Sequence, residues 1–431
     1  MKIMTYNIIT IGCQMNKSDS ERIATYLEDN KYKELKTYLK ADLVIINTCG
    51  VRQSAEDRVY GLAGQIRKKN KKSLIVVTGC LANRKDVKKR LNDVVDIFLE
   101  INNLSTLISK INKQGKPVKR KNYLKIKAKH SSKITAYVPI GNGCNNFCSY
   151  CVVPYARGRE VYRSAKDIIK EVKDLIKKDY KEIILIAQNV NSYKKAEYDF
   201  PKLLAESASL PGNFWIRFSS SHPKDLSDDL IKVIASHKKI TAHLHLALQS
   251  GDDDILKKMN RNYKASDFIK IINKIRKSKP NIAITTDIIV GFPSETKKQY
   301  NKTKEVYKKI KFDLAYIAKY SKRPQTLASK FDDDVSRLEK NRRHKDLNKL
   351  LEKIALLKNK EYLNKEIRVL IEAKDKKGRY VGKSSSFKTV IVSNNLKTKI
   401  VSGFYIVKIK KAKTFVLEGV IKEKAPSFSG A

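Results

Sequence analysis

The residues of this chain that could carry metal or redox chemistry are its cysteines, and they fall into two unlike sets. The sequence has six cysteines in 431 residues. Cys144, Cys148 and Cys151 share one short loop with the spacing Cys-x-x-x-Cys-x-x-Cys. Three thiolates in such a loop can bind three irons of a 4Fe-4S cluster and leave the fourth iron open, whereas a cluster that only transfers electrons takes four protein ligands. A zinc site and three buried structural cysteines are the alternatives, and a zinc site needs a fourth ligand, for which His130 is a candidate.

The other three cysteines each follow a predicted strand of an N-terminal α/β region. Runs rich in β-branched residues at 5–12, 42–48 and 73–79 lead directly into Cys13, Cys49 and Cys80. Two helices are predicted between them, one opened by a Ser-x-x-Glu capping box at 18–21 and extending to about residue 29, the other over 54–69. This alternation is typical of a parallel sheet covered on both faces. Since such sheets bind ligands at their carboxyl edge, we expect the three cysteines to converge there.

A second α/β region follows, with larger repeating units. Strands are predicted at residues 135–140, 182–187, 214–219, 242–248, 282–287 and 314–320. Six units are too few for a closed eight-stranded barrel, so we predict an open, partial (βα)6 barrel. Gln188, Ser221, Gln249 and Asp287 stand at the carboxyl ends of these strands, the edge that forms the active face of such barrels. They are candidates for contact with a cofactor or substrate, and a structural hydrogen-bonding role is the alternative for Gln249 and Asp287.

The last part of the chain changes to short strands. A charged connecting helix is predicted over residues 333–362, and five strand-like runs from about residue 364 indicate a small β-barrel of OB-like size. The fold class is therefore α/β. The predicted domains are a parallel-sheet α/β domain at 1–118, a basic linker at 119–132, a partial barrel at 133–362 and a small β-barrel at 363–425.

The charge of the chain indicates a polyanionic partner. Lys and Arg number 91 against 44 Asp and Glu, a net charge of +47. A lysine-rich genome would raise this number without any function, but it would not empty residues 101–159 of acidic side chains. We therefore expect nucleic acid as the partner. The predicted phosphate contacts are Lys119, Arg120, Lys121, Arg157 and Arg159; for the two arginines after the cysteine loop, an anionic cofactor group or a solvated loop is the alternative.

The sequence carries no membrane or export signal. No apolar run approaches the roughly 20 residues that a membrane-spanning helix needs, and the N-terminus lacks the pattern of a signal peptide. We expect a cytoplasmic protein without a membrane partner, in which disulfides are improbable and metal binding is the better reading of the cysteines.

The cysteine loop at residues 144–151 resembles that of the radical S-adenosylmethionine superfamily. The resemblance implies a 4Fe-4S cluster whose open iron chelates the methionine part of S-adenosylmethionine. Electron transfer then cleaves the sulfonium and releases a 5′-deoxyadenosyl radical. It also implies that Tyr150, the aromatic residue before the third cysteine, lies near the adenine of the cofactor.

The N-terminal cysteines narrow the resemblance to the methylthiotransferases, whose N-terminal domain carries a second 4Fe-4S cluster and whose C-terminal TRAM-type barrel binds RNA. Within them the chain is most similar to the tRNA-2-methylthio-N6-dimethylallyladenosine synthases. The runs that carry this similarity are 12–16, 47–52, 143–160, 188–191, 221–223, 249–251 and 286–293. The implied reaction is radical C2 methylthiolation of N6-isopentenyladenosine in the anticodon stem-loop of tRNA, with one S-adenosylmethionine giving a methyl group and another giving the radical. The sequence departs from the family pattern at Ala187 and Gln325, where glycine is usual, and at Leu327, where proline is usual.

Other functions stay open at this stage. A related enzyme would modify threonylcarbamoyl-adenosine in tRNA or a ribosomal protein, and a protein of another class would be a noncatalytic RNA-binding Fe–S protein. We expect a monomer, and no motif identifies the sulfur donor or the electron donor.

Overall fold

The computed structural model describes residues 4–51, 53–112, 122–393 and 400–428. They form an N-terminal α/β domain, a central partial barrel and a C-terminal closed barrel. Among these residues no helix combines the length and apolar character needed to cross a membrane.

The N-terminal domain is a parallel sheet in the order β2-β1-β3-β4-β5. Its elements are β1 Thr5–Thr10, α1 Gln14–Asp29, β2 Lys33–Glu34, β3 Leu43–Thr48, α2 Gln53–Lys69, β4 Leu74–Gly79, α3 Lys85–Leu91, β5 Ile97–Leu99 and α4 Leu107–Ile111. Successive side chains of β3 point to opposite faces, so Leu43 and Ile45 pack in the core under α1 while Val44 and Ile46 pack in the core under α2. The predicted parallel sheet covered on both faces is confirmed.

The predicted start of the first helix is wrong. α1 begins at Gln14 with Cys13 as its N-cap, and the backbone N–H of Cys13 donates to Asn16 Oδ1 at 3.3 Å. The Ser18 hydroxyl instead accepts from Arg22, and the Glu21 carboxylate accepts from the Ser131 backbone N–H. The capping spacing at 18–21 is therefore incidental, because both side chains are used by contacts inside the fold.

The predicted basic linker at 119–132 is partly buried where the structure describes it. Tyr123 and Leu124 are buried in the core of the N-terminal domain. Lys129 pairs with Glu28, and His130 Nδ1 lies 3.1 Å from a Glu21 carboxylate oxygen, so His130 contacts the N-terminal domain. Residues 122–130 thus belong to that domain, because two apolar side chains anchor them.

The central region is the predicted partial barrel. Its elements are β6 Thr135–Pro139, β7 Gly141–Asn142, α5 Val153–Arg157, β8 Val161–Tyr162, α6 Ala165–Lys177, β9 Glu182–Ile186, β10 Lys194–Lys195, β11 Tyr198–Asp199, α7 Phe200–Ser209, β12 Trp215–Phe218, α8 Asp228–Ser236, β13 His243–His245, α9 Asp253–Lys258, α10 Ala265–Ser278, β14 Ala283–Val290, α11 Lys297–Ile310, β15 Leu314–Lys319 and α12 Arg337–Lys360. Parallel strands β6-β9-β12 and β13-β14-β15 are joined by bridges such as Ser221 to Leu246. Ile183 and Leu185 of β9 pack in the core that includes the surrounding helices, whereas Ile184 and Ile186 face the inside.

The C-terminal domain is a closed barrel in the order β16-β17-β18-β20-β19. Its strands are β16 Glu366–Lys374, β17 Tyr380–Ser384, β18 Thr389–Ser393, β19 Gly403–Ala412 and β20 Val416–Lys424. It docks where strands of the central barrel begin: Trp215, the first residue of β12, meets Phe404 with ring centroids 4.8 Å apart, and His243, the first of β13, stacks on Phe387. The C-terminal barrel therefore leaves the carboxyl ends of the central strands uncovered.

Candidate functional site

The loop that carries Cys144, Cys148 and Cys151 is held by its backbone. The N–H of Cys144 donates to the Gly158 carbonyl at 3.1 Å, and the N–H of Cys151 donates to the Cys148 carbonyl at 2.9 Å. Gly143 has φ +86°, and a Cβ there would lie 2.1 Å from the Arg159 carbonyl oxygen. Only glycine fits this position, because a side chain would clash with the Arg159 backbone.

The N-terminal cysteines meet at the carboxyl edge of their sheet, as their positions after three parallel strands predict. Cys49 directly follows β3 and Cys80 directly follows β4. A Cβ on Gly12, which has φ +154°, would lie 2.9 Å from Cys49 Cβ, and a Cβ on Gly50 would lie 3.4 Å from Cys80 Cβ. The three loops are thus packed against one another, and Gly12 has no room for a larger residue.

The two cysteine sets are neighbours across the domain boundary. A Cβ on Gly50 would lie 3.3 Å from Val152 Cγ2, and Val152 directly follows Cys151. Burial raises the pKa of the Cys151 thiol, and the charges of Cys148, Cys144 and Cys80 raise it further. A group bound by one set therefore lies close to a group bound by the other.

Burial also raises the pKa of Cys144 and Cys13. Cys13 keeps contact with solvent, yet the protein around it is dense enough to desolvate the thiol. Metal binding therefore has to displace protons from these sulfurs. Among the described residues, no three His, Cys, Asp or Glu side chains are close enough to hold one metal ion. A four-iron cluster is larger than one ion, so its thiolate ligands stand farther apart than those of a single zinc.

The N-terminal domain covers the inner face of the partial barrel. Met15, two residues after Cys13, packs on Ile184 and Ile186 of β9. At the other edge of the barrel, Arg323 follows β15 and reaches Glu56 of α2 at 2.9 Å. The auxiliary cysteines, our term for Cys13, Cys49 and Cys80, are thereby held over the carboxyl ends of the barrel strands.

Polar atoms at the strand ends fit a bound cofactor. Gln188 Oε1, Asn189 Oδ1 and Ser221 Oγ are buried and have no hydrogen-bond partner in the described structure. Buried polar atoms without partners are costly, so a ligand that pairs with them would be stabilised. Gln249 adopts φ +69°, a strained conformation of the kind that clusters at functional sites.

Asp287 is partly exposed and lies 3.2 Å from His245 Nε2. His245 Nδ1 and His243 Nε2 each lie 3.0 Å from the Thr285 hydroxyl. Burial lowers the pKa of His243 well below its usual value, which keeps that ring neutral. The two histidines therefore have structural contacts, and His245 orients the Asp287 carboxylate.

Tyr150 packs against a buried apolar cluster that includes Met259 and Phe292. Burial raises the pKa of its hydroxyl well above the usual value. Two residues before it, Cys148 Sγ accepts from Arg261 Nη1 at 3.5 Å. Arg261 is a contact of the cysteine loop that sequence reasoning missed.

Of the predicted phosphate contacts, Arg157 is a wrong assignment. It is only 3% exposed, and its Nη2 donates to Asp19 at 2.6 Å. Arg159 is exposed and its guanidinium lies 4.3 Å from the Phe147 ring centroid, so its other face is free to meet an anion. Lys119, Arg120 and Lys121 lie outside the described residues.

The departures from the family pattern have local structural counterparts. Gln325 has φ +74°, where glycine costs nothing, and Leu327 opens a short 3-10 turn, a position that suits proline. Ala328 N–H donates to the Ser149 carbonyl at 2.7 Å, so this loop contacts the cysteine loop directly. Ala187 is buried with ordinary φ, and its methyl group packs in the core.

Family models match for the Radical SAM superfamily over residues 138–306, Uncharacterized protein family UPF0004 over 5–100 and the TRAM domain over 360–422. The tRNA-2-methylthio-N(6)-dimethylallyladenosine synthase of Clostridium novyi is 41% identical over 434 residues, which cover 96% of each chain. The synthase of the same name from Thermoanaerobacter pseudethanolicus is 40% identical, over 98% of this chain and 93% of that protein.

A structural likeness extends to more distant proteins. The radical S-adenosylmethionine methyltransferase TsrM from Kitasatospora setae superposes with a TM-score of 0.55 at 12% identity, over 76% of this chain and 74% of that chain. The cobalamin-dependent S-adenosylmethionine radical enzyme OxsB also gives a TM-score of 0.55 at 12% identity, over 88% and 64%. At such identity the likeness concerns the fold alone.

Proposed function

The chain belongs to the family of tRNA-2-methylthio-N(6)-dimethylallyladenosine synthases, and we propose that it installs a methylthio group at C2 of N6-isopentenyladenosine next to the anticodon of tRNA. It is a radical S-adenosylmethionine enzyme with 4Fe-4S clusters. We further propose that the anticodon stem-loop is the part of tRNA that enters the site and that the enzyme acts as a monomer.

One observation carries this proposal: the loops that carry the two sets of three cysteines are neighbours above the strand ends of one barrel, where a Cβ on Gly50 would lie 3.3 Å from Val152 Cγ2. C2 of an adenine is an unactivated carbon, so cofactors have to carry the hard step. Two such sites around one base suit a reaction that both activates the carbon and delivers sulfur to it.

The residues divide the work as follows. When bound, the clusters and S-adenosylmethionine would supply the radical, the methyl group and a place for the sulfur that is transferred. Cys144, Cys148 and Cys151 hold the radical-generating cluster, and the auxiliary cysteines hold the other. Gln188 and Ser221 present buried polar atoms to S-adenosylmethionine or substrate, in a site that the N-terminal domain screens from water.

Tyr150, Gln249 and Asp287 are proposed contacts of the cofactor. Tyr150 offers an apolar ring, and the Asp287 carboxylate offers an acceptor that His245 orients. Arg159 is the proposed phosphate contact among the described residues near the site, and an already unpaired anticodon base costs little to extrude.

Nucleoside mass analysis tests the substrate. A strain that lacks this protein should lose 2-methylthio-N6-isopentenyladenosine from its tRNA and accumulate N6-isopentenyladenosine. Restoring the gene should reverse the change, and restoring a Cys144→Ala form should not. Unchanged tRNA nucleosides would refute the substrate, and loss of a methylthio threonylcarbamoyl nucleoside would assign the other substrate class.

Single Cys→Ala variants test the division of labour. Anaerobically reconstituted Cys148→Ala protein should form no 5′-deoxyadenosine, whereas Cys49→Ala protein should form it without methylthio product. A protein that forms none in its wild-type state would be a noncatalytic Fe–S protein, and zinc without iron on metal analysis would contradict both cluster assignments.

A further inference from the structure

Arg157 lies at the junction between the two cysteine sets. It follows Cys151 by six residues, and its Nη2 meets Asp19, which follows Cys13 by six residues on α1. Side chains of both residues are at most 2% exposed. The pair therefore crosses the domain boundary without contact with water.

The guanidinium is aimed by more than one partner. Arg157 Nη1 donates to Asn142 Oδ1 at 2.9 Å, and Asn142 precedes Cys144 by two residues. The Arg157 carbonyl accepts from Asn102 Nδ2 at 3.2 Å, and Asn142 Nδ2 donates to Asn102 Oδ1 at 2.9 Å. A planar, always charged group with fixed donors is held in one orientation by such contacts.

The auxiliary cysteines lie within the electrostatic reach of this cation. Burial acts to lower the pKa of Arg157, but the charges of Asp19, Cys80 and Cys13 raise it well above its usual value. Cys13 caps α1 and Asp19 lies six residues farther along that helix, a distance of about 9 Å at a rise of about 1.5 Å per residue, so the Arg157–Asp19 pair is near this cysteine. Interactions between buried charges are screened far less than those at the surface.

A cluster bound by three thiolates carries negative charge, and reduction adds more. We infer that the Arg157 guanidinium, oriented by Asp19 and Asn142, is a positioning residue that supplies the counter-charge of the auxiliary cluster and raises its reduction potential. Net charge and hydrogen bonding around a cluster are the protein's main means of setting its potential. This inference rests on the proposed assignment of a cluster to the auxiliary cysteines.

The test is a redox titration followed by electron paramagnetic resonance. The background is the full chain with Cys144→Ala, Cys148→Ala and Cys151→Ala, which keeps the auxiliary cysteines alone. Arg157→Gln should shift the midpoint potential to a more negative value, because the cation is lost. Asp19→Asn should shift it to a more positive value, because the guanidinium is then no longer offset by a carboxylate.

Two further variants separate charge from simple loosening of the fold. Arg157→Lys keeps the charge without the two-way anchoring and should shift the potential by less than Arg157→Gln. Arg22→Gln breaks a second buried ion pair between α1 and the central domain, Arg22 to Glu171 at 3.3 Å, and should leave the potential unchanged. Iron content should match the background in each variant that is titrated.

Opposite shifts for Arg157→Gln and Asp19→Asn support the inference. Shifts of the same sign, or no shift beyond that of Arg22→Gln, overturn it. If Arg157→Gln protein fails to bind iron, Arg157→Lys takes its place. Opposite shifts of the midpoint potential for Arg157→Lys and Asp19→Asn then support the inference, and shifts of the same sign overturn it. The titration needs neither tRNA nor S-adenosylmethionine. A wild-type protein without methylthiotransferase activity would therefore refute the proposed function, while the shifts in midpoint potential would still test the role of Arg157.

Discussion

Glu56 links three parts of the protein, and replacing it should loosen the N-terminal domain from the barrel. Its Oε2 accepts from Arg84 at 2.6 Å and from Arg323 at 2.9 Å, and its Oε1 accepts a second bond from Arg84 at 2.9 Å. All three side chains are about 5% exposed. Glu56→Gln replaces one acceptor oxygen by a donor, so two charge-assisted bonds are lost. The Arg323 cation loses its counter-charge, and Arg84 keeps only Asp86 as a carboxylate partner.

The expected cost follows from these contacts. A hydrogen bond to a charged group contributes about 1.5–3 kcal/mol, and breaking a buried ion pair costs about 3–5 kcal/mol. We expect Glu56→Gln to lower the free energy of the first unfolding transition by about 3–5 kcal/mol. Urea denaturation followed by far-ultraviolet circular dichroism measures this as a shift of the first midpoint.

Asp86→Asn is the matched control, because it makes the same carboxylate-to-amide change at another partner of Arg84. The Asp86 side chain is 44% exposed, so its loss should cost less than about 1 kcal/mol. The reasoning is refuted if the two variants unfold at midpoints that differ by less than the equivalent of about 1 kcal/mol. As a multidomain protein is not two-state, the comparison between variants is the measured quantity.

Three further outcomes are expected. Gln325→Gly combined with Leu327→Pro should stabilise the loop at the cysteine site by about 1 kcal/mol, since left-handed backbone penalises glutamine and the first position of a 3-10 turn suits proline; an unchanged melting temperature would contradict this. Burial, with the charges of Arg261 and Lys224, lowers the pKa of His222 to about 2. The unfolded chain therefore binds one more proton between pH 6.5 and that value, and stability falls as the pH falls through this window by up to about 1.4 kcal/mol per pH unit. His222→Asn, which keeps an acceptor for the Lys224 N–H, should reduce that slope in urea titrations at pH 7, 6 and 5, and equal slopes would be inconsistent with a buried neutral imidazole. Binding of tRNA should weaken linearly on a log–log plot against salt; an affinity that is independent of salt would exclude phosphate contacts as its main source.

The local patterns of the sequence determined the chain's elements and the place of its chemistry. Continuous apolar strands that alternate with amphipathic helices specify parallel sheets, because the apolar side chains on both faces of such strands are buried only when helices cover both faces of the sheet. The sequence therefore predicts Cys49 and Cys80 at the carboxyl edge of a sheet. The spacing of the cysteines in the loop at residues 144–151 is likewise evident from the sequence alone. The departures at Gln325 and Leu327 also fall in a loop with unusual backbone: Gln325 is left-handed and Leu327 begins a 3-10 turn.

Only the tertiary structure decided what the charged side chains do. Arg157 and Arg159 stand two residues apart in the same basic run, yet one is buried against Asp19 and the other is exposed. The helix predicted to begin at the Ser18 capping box is instead capped by Cys13. The Ser18 side chain does not cap the helix, because it accepts a hydrogen bond from Arg22. Periodicity and spacing depend on residues that are close in sequence. The partner of the buried Arg157 charge is set by the packing of two domains, between residues more than a hundred positions apart. Burial then determines whether such a charge meets a phosphate or a carboxylate.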